Sequence, residues 1–150
     1  MKRPGPSLEP LHLAVADGVK AAPTDARALP RVVRLVQSRV PPGQPIYAVP
    51  LRSDLVRIND PLLYVLVGRP NLFREDYALQ TSDSDQRRIA AALGRARPAV
   101  VIRWLDPISA QREPNRRGTP SGSRYLDSWL AAHYRLLRRD GYYAVLVPAG

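Results

Sequence analysis

Asp54 and Asp60 flank a polar loop beyond an apolar run at residues 46–49, and two carboxylates so placed can divide general acid and base work between them. Each also has a plainer reading. Asp60 stands before Pro61 at the head of an apolar segment, as an N-cap does, and Asp54 reads as a solvated loop acid. Asp106 ends a second apolar run, residues 99–105, where open α/β sheets place their ligand crevice, although Asp-Pro is also an ordinary strand ending. His133 falls on an apolar stripe and reads as a satisfied core side chain. The richest ligand-binding chemistry lies in R-E-P-N-R-R-G-T-P-S-G-S-R, residues 112–124, where Arg112, Arg116, Arg117 and Arg124 stand against one glutamate. Guanidinium forks beside the close backbone amides of Gly and Ser suit phosphate or a glycan carboxylate; a solvated surface loop is the competing reading.

Established catalytic and cofactor patterns are missing. No G-x-G-x-x-G follows a strand, no G-x-x-x-x-G-K-[ST] is present, and neither Ser53 nor Ser109 sits in G-x-S-x-G. The chain has no cysteine, which excludes a disulfide framework and thiolate metal sites, and its two histidines, His12 and His133, are too scattered for a metal cluster. The sequence therefore implies neither cofactor nor metal.

The formal charge of +10 invites a nucleic-acid reading, because clustered bases release counterions from phosphates. Its distribution argues otherwise. Only Lys2 and Lys20 are lysines, leaving 21 arginines, and residues 1–60 carry nine bases against five acids while residues 61–150 carry fourteen against eight. Arginine is spread over ordinary solvated faces rather than gathered in a tail.

These 150 residues suffice for one domain with a sizeable core. Residues 1–10, with three prolines and a glycine, read as a disordered lead or linker stump, and residues 11–150 as a single α/β domain. Met1-Lys2-Arg3 is followed by Pro4-Gly5-Pro6 where a signal peptide would place its apolar stretch. The longest apolar run, residues 62–67, falls far short of the roughly 20 residues that cross a bilayer.

Within the domain, residues 11–15 are expected as an edge strand. Leu29, Val32, Val33, Val36 and Val40 form one helical face, with Pro30 placing the start near residues 28–30 or bending the helix there. Pro41-Pro42-Gly43 stops it, and residues 46–49 form a buried strand. A short helix burying Leu62, Leu63, Val65 and Leu66 precedes Gly68, and a strand is its rival. Residues 72–80 read as irregular. Residues 82–85 cap a helix that buries Ile89, Ala92, Leu93 and Ala96, and residues 99–105 form the central strand, apolar apart from Arg103. After a long loop at residues 106–123, a helix from Arg124 carries Tyr125, Leu126, Trp129, Leu130, His133, Leu136 and Leu137 on one stripe and Arg135, Arg138 and Arg139 near its end. Asp140-Gly141 turns into a closing strand, residues 142–147. Two crossovers of this kind predict a three-layer, Rossmann-like α/β domain, with a mostly parallel sheet of about four to five strands flanked by helices.

Within a stretch of roughly residues 11–148, the chain from residue 41 runs in the order P-P-G-Q-P-I-Y-A-V-P, R-S-D-L-V, P-L-L-Y-V-L-V-G-R-P-N, Q-R-R-I-A-A-A-L-G-R-A-R-P-A-V-V-I-R-W and E-P-N, then a Tyr-rich helix and strand. It resembles the soluble C-terminal extracytoplasmic domain of bacterial GT-C-type polytopic membrane glycosyltransferases, similar to the dolichyl-phosphate-mannose protein mannosyltransferase and lipopolysaccharide glycosyltransferase groups. In that family the catalytic acid lies among N-terminal membrane helices, which have no counterpart in this sequence. The resemblance thus implies a non-catalytic accessory domain, excised or separately encoded, whose partner is the membrane-embedded glycosyltransferase portion. It implies contact with acceptor glycan or polyprenyl phosphate through Arg69, Asn71, Arg112, Asn115, Arg116, Arg117 and Arg124. It also implies an extracytoplasmic, membrane-associated place within the whole enzyme, against a cytoplasmic one if this chain is made alone.

Two readings from other classes stand beside it. One is a basic module binding nucleic acid or another anionic surface, motivated by the charge. The other is a small α/β enzyme of unknown reaction working through Asp54 and Asp106 at the sheet edge, supported by fold analogy alone.

Overall fold

Strand β3, Tyr47–Pro50, and strand β4, Val101–Trp104, are buried at every position, because helices cover both faces of the sheet they share. The computed structural model describes residues 5, 7–54, 60–73, 82–104 and 122–150. Along them run β1 (Glu9–Pro10), a 3-10 turn (Ala14–Ala16), β2 (Lys20–Ala21), α1 (Pro23–Arg39), β3, α2 (Leu62–Val67), α3 (Asp83–Ala96), β4, α4 (Tyr125–His133), β5 (Tyr134–Asp140) and β6 (Tyr143–Pro148).

Side-chain alternation divides the core into two. Ile46, Ala48, Ile102, Val145 and Val147 meet α1 and α2 on one face, whereas Tyr47, Val49 and Val101 meet Ile89 and Leu93 of α3 and Leu126 and Leu130 of α4 on the other. The four-stranded sheet has the order β3-β4-β6-β5. Only β3 and β4 are parallel; β6 runs antiparallel to both β4 and β5. This overturns the mostly parallel, Rossmann-like sheet expected from the sequence.

The error has one source. The stripe read as a helix to Arg139 ends at His133, and Tyr134–Asp140 turns back as a strand hairpinned to β6. Register shifts between Leu136 and Arg138, so Leu137 is the extra residue of a bulge. The bulge breaks period-two alternation, and Leu136-Leu137 followed by two arginines then imitates a helix. The hairpin reverses β6 relative to a strand arriving from a helical crossover.

Smaller corrections have local causes. Residues 11–15 are not an edge strand; Leu11 is buried where the chain curves through the 3-10 turn, and the flanking strands pair Glu9 with Ala21 and Pro10 with Lys20. Helix α1 begins at Pro23 rather than at residues 28–30, since Pro23 supplies a preset φ at the first turn. Burial of Ala26, Ala28 and Leu29 offsets the hydrogen bond lost at Pro30. In α2 the buried set is Leu63, Tyr64, Leu66 and Val67, with Leu62 and Val65 exposed. Helix α3 starts under the Ser82 cap as expected, but it buries Gln86 and Ala90 with Ile89 and Leu93, and leaves Ala96 exposed.

The outer edge of β3 is closed by three devices. Ile46 donates to Pro70 O at 3.0 Å and accepts from Leu72 N at 2.9 Å, the Ala48 N–H donates to the Tyr64 hydroxyl at 2.9 Å, and Pro50 has no N–H. No donor of that alternating set is offered to a foreign strand.

Candidate anion-binding site

Beyond Pro50 and Trp104, at the carboxyl ends of the two parallel strands, charged side chains gather. Leu51 continues the ladder, its N–H donating to Trp104 O at 2.9 Å, and Arg52, Ser53 and Asp54 follow directly. Arg103 of β4 lies on the face of the sheet that α3 and α4 cover. Its guanidinium donates to Pro50 O at 2.9 Å, to Leu51 O at 2.7 Å and to the carboxylate of Asp127 in the first turn of α4.

Asp127 accepts three further contacts: the Ser53 hydroxyl at 2.8 Å, the Ser53 N–H at 3.4 Å and Arg124 Nε at 3.1 Å. Beside it Arg52 grips Asp54 with two parallel bonds of 2.8 Å, and Arg124 Nε lies 4.0 Å from the same carboxylate. Asp54 is only 3% exposed, yet the Arg52 fork holds its carboxyl below the usual carboxylate value, outweighing burial, which acts in the opposite direction. Burial draws the Arg103 pKa down from its ordinary value, and Asp127 opposes that shift. Among the described residues, three arginines meet two aspartates here, an excess of one positive charge.

The start of α4 is set from outside. Arg124, its N-cap, provides no side-chain cap. Instead the buried Gln86 of α3 accepts from the Leu126 N–H at 2.9 Å and donates to Ser123 O at 3.0 Å, while the Ser123 hydroxyl donates to Asp83 at 2.8 Å. The first turn of α3 thereby positions both Arg124 and Asp127.

Comparisons with protein-family models, curated proteins and solved structures return no match. The reading of this site rests on its own geometry.

That geometry sorts the residues expected from the sequence. Arg124 is in the cluster. Arg69 and Asn71 are at the other end of β3, where Asn71 bridges Ile46, about 13 Å away at 3.3 Å per strand residue. Arg69 donates to Val40 O at 2.8 Å and Gly68 O at 3.0 Å, closing the carbonyl ends of α1 and α2, and Asn71 Oδ1 accepts from the Phe73 N–H at 3.1 Å. Arg112, Asn115, Arg116, Arg117 and Asp106 lie outside the described residues. Asp60 accepts from the Leu62 N–H at 3.1 Å, the helix-start role, whereas Asp54 is no solvated loop acid. His133 is exposed rather than in the core; it stacks on Trp129 at 4.1 Å because α4 ends there and no further turn covers it.

Arg52, Ser53, Arg103, Asp127 and Gln86 were not picked out by motif or spacing. One signal was present: Arg103 is the single charge in an otherwise apolar strand, and a buried strand holds a charge only where a partner waits.

Proposed function

We propose that this chain is a non-catalytic accessory domain that binds an anionic group, a glycan carboxylate or a lipid phosphate, for a polyprenyl-phosphate-sugar-dependent membrane glycosyltransferase. One observation carries the binding half of this reading. Among the described residues at the carboxyl edge of the parallel strands, both carboxylates are paired with guanidinium groups, and Arg52 and Arg124 remain 40% and 52% exposed with a positive charge in excess. Such an edge has donors for an incoming anion. The glycosyltransferase half comes from the ordered motifs of the sequence. Among the described residues no helix is long and apolar enough to cross a membrane, so the membrane-spanning partner and the extracytoplasmic setting belong to the proposal.

Titrating the chain calorimetrically with inorganic pyrophosphate and with an oligouronate tests the site. Binding that falls about tenfold or more in Arg52→Gln, Arg124→Gln is expected, given the 1.5–3 kcal/mol typical of a charged hydrogen bond. Unchanged binding in that variant sinks the assignment. Retention of duplex DNA, with affinity falling steeply as salt rises, replaces it with the nucleic-acid reading.

A further inference from the structure

In the order β3-β4-β6-β5 the sheet ends on β5, and among the described residues no strand lies beyond it. An edge strand turns alternate N–H and C=O groups outward, and no backbone bond outside the sheet engages residues 135–140 among those described. Arg135, Leu136, Arg138 and Arg139 are all exposed. On β5 and in the ion pairs it makes, four arginines meet one aspartate. Asp140 is shared by Arg31 of α1 at 3.3 Å and Arg138 at 2.8 Å, while Arg135 and Arg139 make no ion pair among the described residues.

We infer that β5 takes up an extended acidic segment of a partner protein as an added strand, with two acids three positions apart that meet Arg135 and Arg139. The open ladder selects a polypeptide over a polynucleotide, whose backbone has phosphate acceptors but no N–H donors for the outward carbonyls. Charge selects an acidic partner over a second copy. Full pairing of β5 with another β5 sets Arg135 against Arg139 in the antiparallel sense, or each arginine against its own equivalent in the parallel one, and like charges directly opposite are destabilising. Arginines and a bulge are means by which an edge strand refuses its own kind, and an opposite charge reverses the first of them. The bulge sets the spacing. Arg135 lies opposite Val147 and Arg139 opposite Ala144, so four steps along β5 match three along β6 and the two arginines face opposite sides of the sheet. A regular strand laid outside β5 meets both with acids at that same interval of three. No residue is shared with the anion-binding cluster, so the proposal stands apart from it.

The test titrates the full chain with a capped hexapeptide of threonine and valine carrying two glutamates three positions apart, followed by backbone amide chemical shifts and hydrogen exchange. Binding is expected, with slowed exchange centred on β5. Alanine in place of both glutamates should cost about tenfold, and glutamates two positions apart at the same composition about threefold. Arg135→Gln, Arg139→Gln removes both charges at exposed positions and should weaken the parent peptide about tenfold. A fully N-methylated peptide keeps the charge but cannot donate to the ladder, and should not bind. Absence of binding, indifference to glutamate spacing or equal binding of the N-methylated peptide overturns the inference. Tighter binding of an oligothymidylate than of the peptide replaces it with a nucleic-acid surface. A dimer of the chain alone that protects the β5 amides gives the edge to a second copy instead.

Discussion

Arg103 on β4 and Asp127 on α4 form an ion pair across the covered face of the sheet, and both partners are at least nine-tenths buried. The pair joins the middle of the sheet to the first turn of the helix that carries Arg124. Ser53 closes the arrangement from the β3 side by donating its hydroxyl to the same carboxylate. A buried pair of this kind contributes little over an apolar replacement, but breaking it strands a charge.

Asp127→Ala is accordingly expected to lower stability by about 3–5 kcal/mol, read as a reduced urea midpoint at unchanged m. The double variant Arg103→Met, Asp127→Leu should lose less than the single one. A single-variant loss below about 1 kcal/mol would show the pair to be solvated rather than buried.

Acid should loosen the fold through carboxylates that are held by donors. Asp54, Asp83 and Asp85 all have pKa values below the ordinary 3.8, the first through Arg52, the second through Arg87 and then Ser123, the third chiefly through Ser82. A depressed folded-state pKa gives stability that is complete above the unfolded value and is lost as pH falls through the folded one. Stability measured by urea from about pH 6 to pH 2 should therefore be flat down to about 4 and then decline. Asp54→Asn should lower the plateau and soften the decline; a variant curve parallel to the parent's would contradict the assignment.

Gly141 turns the β5–β6 hairpin at φ +55°, and a Cβ there would come within 2.9 Å of the Ala28 Cβ and 3.2 Å of the Thr24 Cγ2 on α1. Gly141→Ala combines left-handed strain with that collision, so a loss of about 1–3 kcal/mol is expected, with a lower Tm in thermal unfolding. Gly43→Ala has the same backbone cost at φ +84° with open space around it, and should lose less. Equal losses would mean the contact with α1 relaxes freely.

Much of the scaffold was legible along the chain. Pro41-Pro42-Gly43 ends α1, Ser82 caps α3 by accepting the Asp85 N–H at 3.1 Å, Gly68 closes α2 in a left-handed turn, and the apolar runs around Tyr47 and Ile102 are buried on both sides. These features are local, encoded in one turn or one strand, where neighbouring residues suffice to decide the backbone. Strand direction was not legible, because the Leu137 bulge hid the alternation of β5 and a helix of nine residues was read as sixteen.

Composition and local pattern establish an α/β chain with an arginine excess and no cysteine, and they mark Arg103 as a lone charge in an apolar strand. Tertiary structure alone decided that β6 runs antiparallel to β4, and that Arg52, Ser53, Asp54, Arg103, Arg124 and Asp127 meet at one edge while Arg69 and Asn71 lie at the other. The reason is separation. Ser53 and Asp127 are 74 residues apart, and no periodicity records which distant carboxylate will neutralise a buried guanidinium; only strand pairing and helix packing bring them within hydrogen-bonding distance.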